Sequence, residues 1–90
     1  MSIEIKISSV FARYAGNKTV VTITGNTVGE CLRDLVKQYP ELGNIFLDKN
    51  GNLLRSFDVY INDKSAYPDE MKKPVADGDK LHLVPIIYGG

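Results

Sequence analysis

Residues 76–90 read ADGDKLHLVPIIYGG, a stretch that combines a turn, a strand and an unusual ending. Carboxylates on both sides of a glycine, as in Asp77-Gly78-Asp79, are typical of a tight turn. After this turn Leu81 and Leu83 alternate with other residues in a period of two, which predicts a half-buried β-strand. Pro85 lacks the amide hydrogen that a neighbouring strand needs, so we expect the strand to end there.

The last five residues, 86–90, predict a flexible tail. Gly89 and Gly90 carry no side chains, and glycine lets surrounding backbone approach closely, so such an end suits a narrow active site on another protein. A random chain ends in two glycines only about once in 200. Ile86, Ile87 and Tyr88 are apolar, and an extended apolar tail can pair with a partner while its side chains fill pockets. The alternative is that Ile86 or Tyr88 folds back onto the domain.

Three further strands are predicted upstream. Residues 3–7 alternate isoleucine with polar residues, residues 19–24 are β-branched throughout, and residues 57–61 again alternate. Both patterns favour strands. A short edge strand near residues 66–67 completes the set, and the turn at 15–17 predicts that the first two strands form a hairpin.

One amphipathic helix is predicted between the second and third strands. Thr27 and Glu30 have the spacing of a capping box, in which we expect Glu30 to accept from the Thr27 amide. Pro40 disfavours helical geometry at the preceding residue and ends the run, with a short helical turn expected over 42–47. The apolar stripe falls at helical spacing on Val28, Cys31, Leu32, Leu35, Val36 and Tyr39.

The element order predicts an α+β fold: a mixed four- to five-stranded sheet packed on one main helix. Because the first and last strands are both rich in aliphatic residues, we expect them to lie parallel at the centre of the sheet. Residues 1–85 are predicted to form the domain and residues 86–90 its flexible tail.

Composition narrows the classes of function. The chain has 90 residues, 11 basic and 11 acidic side chains and a formal net charge of zero. Ninety residues fit one domain, and the absence of a basic run argues against nucleic acid as a partner. No apolar run is long enough to cross a bilayer, and the single Cys31 excludes an internal disulfide. We therefore expect a cytoplasmic protein.

Several segments together resemble a known family. They are Val10–Arg13 after the first strand, Asn26–Leu32 at the helix start, Tyr39–Pro40 at its end, Val59–Asn62 in the third strand, and residues 76–90. In this combination the chain resembles the ubiquitin-like β-grasp sulfur carriers, the family of molybdopterin-synthase small subunits and thiamine sulfur carriers. Residues 48–56 and 64–75 look longer than in compact members, which is more like the carriers that serve cysteine biosynthesis.

The resemblance implies that Gly90 is a covalent acceptor. A separate activating enzyme that uses ATP and magnesium would adenylate its carboxylate, and a sulfur nucleophile would convert the adenylate to a thiocarboxylate. Gly89, Tyr88, Ile87 and Ile86 would thread into that partner, and a sulfur-accepting synthase would be the second partner. On this view the chain is a cosubstrate rather than an enzyme and binds no cofactor itself. Tyr88 is bulkier than the small residue common at this position in the family.

Other candidate residues have simpler interpretations. Cys31 and His82 could form a nucleophilic pair only in hydrogen-bond contact, and we expect the sheet to separate them. His82 has no companion that would make a metal site. Asp77 and Asp79 are expected to stabilise their turn rather than to act as an acid–base pair.

A docking patch is predicted on the face of the sheet opposite the helix. If Ile61 and Leu83 face the helix, then Tyr60, His82 and Val84 face the other way, with Val20 beside them. Exposed apolar patches can mark partner sites, although ordinary strand residues on a solvated face would look the same.

Three functions remain open at this point. The first is the sulfur carrier, and the second is a protein modifier that forms isopeptide bonds through Gly90. The third is a non-covalent β-grasp interaction module whose two terminal glycines are incidental. Molybdopterin, cysteine and thiazole assembly and tRNA thiolation all remain open as recipient pathways, with molybdopterin and cysteine preferred.

Overall fold

A computed structural model describes residues 2–86 and contains one mixed five-stranded sheet. The strands are β1 (Ile3–Ile7), β2 (Val20–Ile23), β3 (Phe57–Ile61), β4 (Lys64–Ser65) and β5 (Lys80–Pro85), and the helices are α1 (Val28–Gln38) and α2 (Pro40–Phe46). Short 3₁₀ helices span Ser9–Tyr14 and Glu70–Lys72. This is the β-grasp arrangement that the resemblance implied.

The sheet order is β2-β1-β5-β3-β4, which puts the last strand at the centre. Strand β5 runs parallel to β1, with Ile5 opposite Leu81, and antiparallel to β3, with Val59 opposite Leu83. The predicted parallel central pair is therefore confirmed. The first hairpin is confirmed too, because β2 lies antiparallel to β1 with Ile5 opposite Val21.

One face of the sheet packs against α1 and forms the core. In β1 the isoleucines at 3, 5 and 7 are buried while Glu4 and Lys6 are exposed, as the period of two predicted. The buried side chains of α1 fall on one stripe of the helix and share a cluster with these isoleucines. No helix within residues 2–86 is long and apolar enough to cross a membrane.

Two residues fix the start of α1. The Thr27 hydroxyl accepts a hydrogen bond from the Glu30 amide at 3.1 Å, as expected of a cap. Glu30 Oε1 accepts from the amide of Asn26 at 3.0 Å, so the prediction that it would reach the Thr27 amide was wrong by one residue. Thr27 has extended backbone, in which successive amides point to opposite sides, and here the Asn26 amide faces Glu30.

Pro40 ends α1 and takes the first position of α2, where proline is favoured.

The edge strand lies two residues earlier than predicted. Asn62 and Asp63 both have positive φ, at 49° and 71°, and such a two-residue turn reverses the chain at once. Pairing with β3 therefore begins at Lys64, opposite Ile61, instead of at residue 66. Ala66 is buried and its amide donates to the Val59 carbonyl at 2.8 Å.

Cys31 lies in the core on α1 and has no exposed surface. Burial, and secondarily the negative charges of Glu30 and Asp34, raises the pKa of its thiol to about 11. A thiol that keeps its proton is a poor nucleophile. Cys31 is therefore a small packing residue, as is usual for a lone buried cysteine.

Replacing Thr27 by alanine removes the hydroxyl that caps α1. We expect Thr27→Ala to lower the free energy of unfolding by about 1 kcal/mol, measured by urea denaturation. Thr27→Ser keeps the hydroxyl and is the matched control. Equal loss in both variants would mean that the methyl group, and not the cap, stabilises the helix start.

The raised pKa of Cys31 predicts a pH dependence of stability. Between the ordinary value of 9.0 and about 11 the folded protein keeps a proton that the unfolded chain releases, so stability falls as the pH rises through this window. We expect the free energy of unfolding to fall more steeply across it in the wild type than in Cys31→Ala. Parallel pH profiles would contradict the assignment of a protonated, buried thiol.

Candidate functional site

The face of the sheet that α1 does not cover carries a row of side chains across four strands. Tyr60 of β3 lies opposite His82 of β5, His82 lies opposite Lys6 of β1, and Lys6 lies opposite Val20 of β2. Residues opposite one another in neighbouring strands share a face. Three of the four patch residues predicted from sequence are thus aligned in one row, with Lys6 among them.

Val84, the fourth residue, extends the row toward the end of β5. It lies two residues beyond His82 and opposite Asp58, and period two puts it on the same face. Val20 is 46% exposed, whereas Tyr60, His82 and Val84 are partly exposed. We call these four residues and Lys6 the open-face row; its role in binding a partner stays a prediction.

The open face also carries charged groups that the sequence reasoning passed over. Lys80 Nζ contacts Glu4 Oε1 at 3.1 Å, an exposed ion pair that contributes little to stability. A depression on this face is lined by these two residues and Asp63, together with Lys6, Val20 and His82 of the row. The period of two in β1 could have placed Glu4 and Lys6 here, because it assigns their isoleucine neighbours to the core.

Cys31 and His82 lie on opposite sides of the sheet. Leu81 and Leu83 are buried on the core side, so His82 between them points to the open face, whereas Cys31 is buried on α1. A Cys–His nucleophilic pair needs direct contact. The structure separates the two side chains, as expected from the sequence.

The aspartates before β5 hold the chain in place. Asp79 accepts from the Ala76 amide at 2.8 Å and from Asn62 Nδ2 at 2.9 Å, and these hydrogen bonds lower the pKa of its carboxyl group. Asp77 Oδ1 accepts from the Ser2 amide at 2.7 Å. Both carboxylates therefore serve the turn and its neighbours, as their spacing indicated.

The structure follows the chain one residue past the end of β5. Pro85 lies opposite Phe57, and the Ile86 amide donates to the Ser56 carbonyl at 2.7 Å. The Phe57 ring contacts Phe11, with centroids 5.8 Å apart. Strand β5 therefore ends next to the Phe11–Phe57 contact, and the hydrogen bond from Ile86 to Ser56 fixes the direction in which the chain continues.

Four of the predicted site residues, Ile87, Tyr88, Gly89 and Gly90, lie outside the described residues. Of the predicted tail, residues 86–90, the structure describes only Ile86, which is 38% exposed. Its amide belongs to the sheet through Ser56, although its side chain reaches solvent. The threading role of residues 86–89 and the acceptor role of Gly90 stay predictions.

Comparison with known proteins identifies relatives over the whole fold. The sequence model of the ThiS family matches residues 5–90. The sulfur carrier protein CysO of Mycobacterium tuberculosis is 26% identical, with all of both chains covered. Small archaeal modifier protein 1 of Haloferax volcanii is 34% identical, covering 97% of this chain and 99% of that protein.

Solved structures of sulfur carriers and small modifiers have the same fold. A chain in the crystal structure of the BexX/CysO complex of Amycolatopsis orientalis superposes with a TM-score of 0.87 at 25% identity, covering 98% of this chain and 99% of that one. The crystal structure of SAMP1 from Haloferax volcanii gives 0.84 at 30% identity and full coverage of both. The chain therefore belongs to the ThiS family of ubiquitin-like β-grasp proteins, whose relatives here are sulfur carriers and small modifiers.

Proposed function

We propose that this protein is a sulfur carrier whose Gly90 carboxylate is activated by a partner and converted to a thiocarboxylate. The observation that carries the proposal is the match to the ThiS family, which runs through Gly89 and Gly90 to the last residue. The sulfur carrier protein CysO, aligned over its full length, supports the same function.

The chemistry needs activation because a carboxylate is a poor acyl donor. In the proposed first step a Gly90 carboxylate oxygen attacks the α-phosphorus of ATP and pyrophosphate leaves, which gives a mixed anhydride with AMP. In the second step hydrosulfide attacks the carbonyl carbon, AMP leaves, and loss of the sulfur-bound proton to water gives the thiocarboxylate. The activating enzyme supplies ATP and magnesium, and this chain supplies only the acyl group.

The described part of the structure suits the role of a presenting domain. Strand β5 is paired on both sides, so the point at which the tail starts is fixed. The open-face row ends at Val84, two residues before Ile86, so a partner seated on the row would lie close to the tail. We propose Tyr60, His82, Val84 and Val20 as its docking patch and residues 86–89 as the threaded segment.

A synthase that accepts sulfur would be the second partner. Cysteine and molybdopterin synthesis are the recipient pathways we favour. The longer segments at 48–56 and 64–75, together with the CysO relatives, support the cysteine pathway.

A second candidate is protein modification. The relative with 34% identity is named a small archaeal modifier protein, and the same activated Gly90 could acylate a lysine amine with loss of AMP. The first chemical step is common to both candidates, so only the fate of the acyl group separates them.

The proposal predicts a change in the mass of the intact chain. After co-expression with its activating enzyme and a sulfur source, we expect a gain that matches replacement of one oxygen by sulfur. A variant with one alanine added after Gly90 should show no gain, because its terminal carboxylate is no longer glycyl. The matched control carries the same alanine between Met1 and Ser2 and should be converted normally.

Deletion of Gly89 and Gly90 should also prevent conversion while leaving the midpoint of thermal unfolding nearly unchanged, since two glycines at a chain end have no side chains to contribute to a core. Failure of the wild type to gain sulfur with an enzyme of proven activity would contradict the carrier. Heavier covalent species on a denaturing gel that depend on Gly90 would instead favour the modifier.

A further inference from the structure

The outer edge of β2 lacks, in its own sequence, the residues that usually prevent an edge strand from pairing with another chain. The strand lies at the end of the strand order, and residues 19–24 read TVVTIT, six β-branched residues without charge, proline or glycine. Uncharged edge strands of high β-propensity are templates for pairing with another chain. The other edge strand, β4, has only two residues and carries Lys64. A short strand and a lysine both discourage pairing with another chain.

The register shows which backbone groups of β2 face outward. The Ile7 amide donates to the Thr19 carbonyl at 2.8 Å, which makes that pair hydrogen-bonded. In an antiparallel ladder hydrogen-bonded pairs alternate with non-hydrogen-bonded ones. The even-numbered residues of β2 and Thr24 after it therefore direct their amides and carbonyls away from β1.

Two side chains of α1 occupy two of these outward groups, the Thr24 amide and the Thr22 carbonyl. Asp34 Oδ2 accepts from the Thr24 amide at 3.0 Å, and Gln38 Nε2 donates to the Thr22 carbonyl at 3.0 Å. Gln38 Nε2 also donates to Asp34 Oδ2 at 3.2 Å, which ties the two side chains together. Because both partners of Gln38 are acceptors, its amide nitrogen must face them.

We propose that Asp34 and Gln38 form a lock on the β2 edge that prevents this strand from pairing with β2 of a second copy. The two positions are one helical turn apart and on the same side of α1, so they span successive outward groups of the strand. A second strand would have to displace both side chains to reach the Thr22 carbonyl and the Thr24 amide.

A second copy is the occupant that the observations favour. An edge strand can pair with itself antiparallel about a two-fold axis, which closes the assembly as a dimer. The uncharged strand offers no like-charge repulsion to such a pair, and the formal net charge of zero offers little at longer range.

The test removes the Asp34 and Gln38 side chains and measures self-association of the protein. We expect the wild type to remain monomeric from micromolar to millimolar concentration in analytical ultracentrifugation. The double variant Asp34→Ala/Gln38→Ala should be monomeric at the low end and shift to twice the monomer mass at the high end. Its Thr24 amide should exchange hydrogen faster than in the wild type while the protein is monomeric.

Three matched variants sharpen the result. Arg33→Ala/Lys37→Ala truncates two exposed side chains of the same helix and should stay monomeric. Asp34→Asn keeps an oxygen acceptor while it removes the charge, and should stay monomeric too. Thr22→Pro added to the double variant removes an outward amide and should abolish the dimer, with Thr22→Lys as the substitute if proline prevents folding.

A double variant with a native circular dichroism spectrum that stays monomeric throughout would overturn the proposal. Dimers that persist after Thr22→Pro or Thr22→Lys would also overturn it, because they would have to form elsewhere. If the double variant does not fold, the single variants Asp34→Ala and Gln38→Ala are read by the same criteria.

Discussion

Strand β5 pairs with β1 on one side and β3 on the other, and this central position determines where the chain leaves the sheet. The parallel β1–β5 pair joins the two ends of the chain, so the strand that leads to the tail is embedded in the sheet. Leu81 and Leu83 bury its core side under α1. His82 and Val84 project from its other side, and Ile86 continues its line.

This arrangement divides the domain into a core side, an open side and an exit. The core side holds Cys31, whose thiol has a pKa raised by burial. The open side offers the row from Tyr60 to Val20, and the exit is fixed by the bond between Ile86 and Ser56. Asp34 and Gln38 occupy the Thr24 amide and the Thr22 carbonyl at the β2 edge, and the open face is the side on which we propose that a partner docks.

Much of this could be predicted from local pattern, since strand alternation and helix spacing depend on neighbouring residues alone. The strands β1, β3 and β5, the start of α1 at Thr27 and its end before Pro40 were predicted in this way. Period two also placed Tyr60, His82 and Val84 on one face. The resemblance to the sulfur carriers added the ubiquitin-like fold, which the structure and the ThiS match confirm.

The features that were missed depend on tertiary geometry. The position of β4 follows from positive φ angles at Asn62 and Asp63, and the choice of Asn26 as the partner of Glu30 follows from the extended backbone at Thr27. The contacts of Asp34 and Gln38 with β2 join residues 10 and 16 positions apart. No periodicity within a single element reports such contacts.

Native-state hydrogen exchange tests most directly whether the sheet delivers the chain to its exit as a fixed strand. We expect the hydrogen-bonded amides of β5 to exchange only through global unfolding. We expect the Ile86 amide to exchange much more slowly than the same amide in an unstructured peptide. An Ile86 amide that exchanges at the unprotected rate while the β5 amides stay protected would contradict the fixed exit.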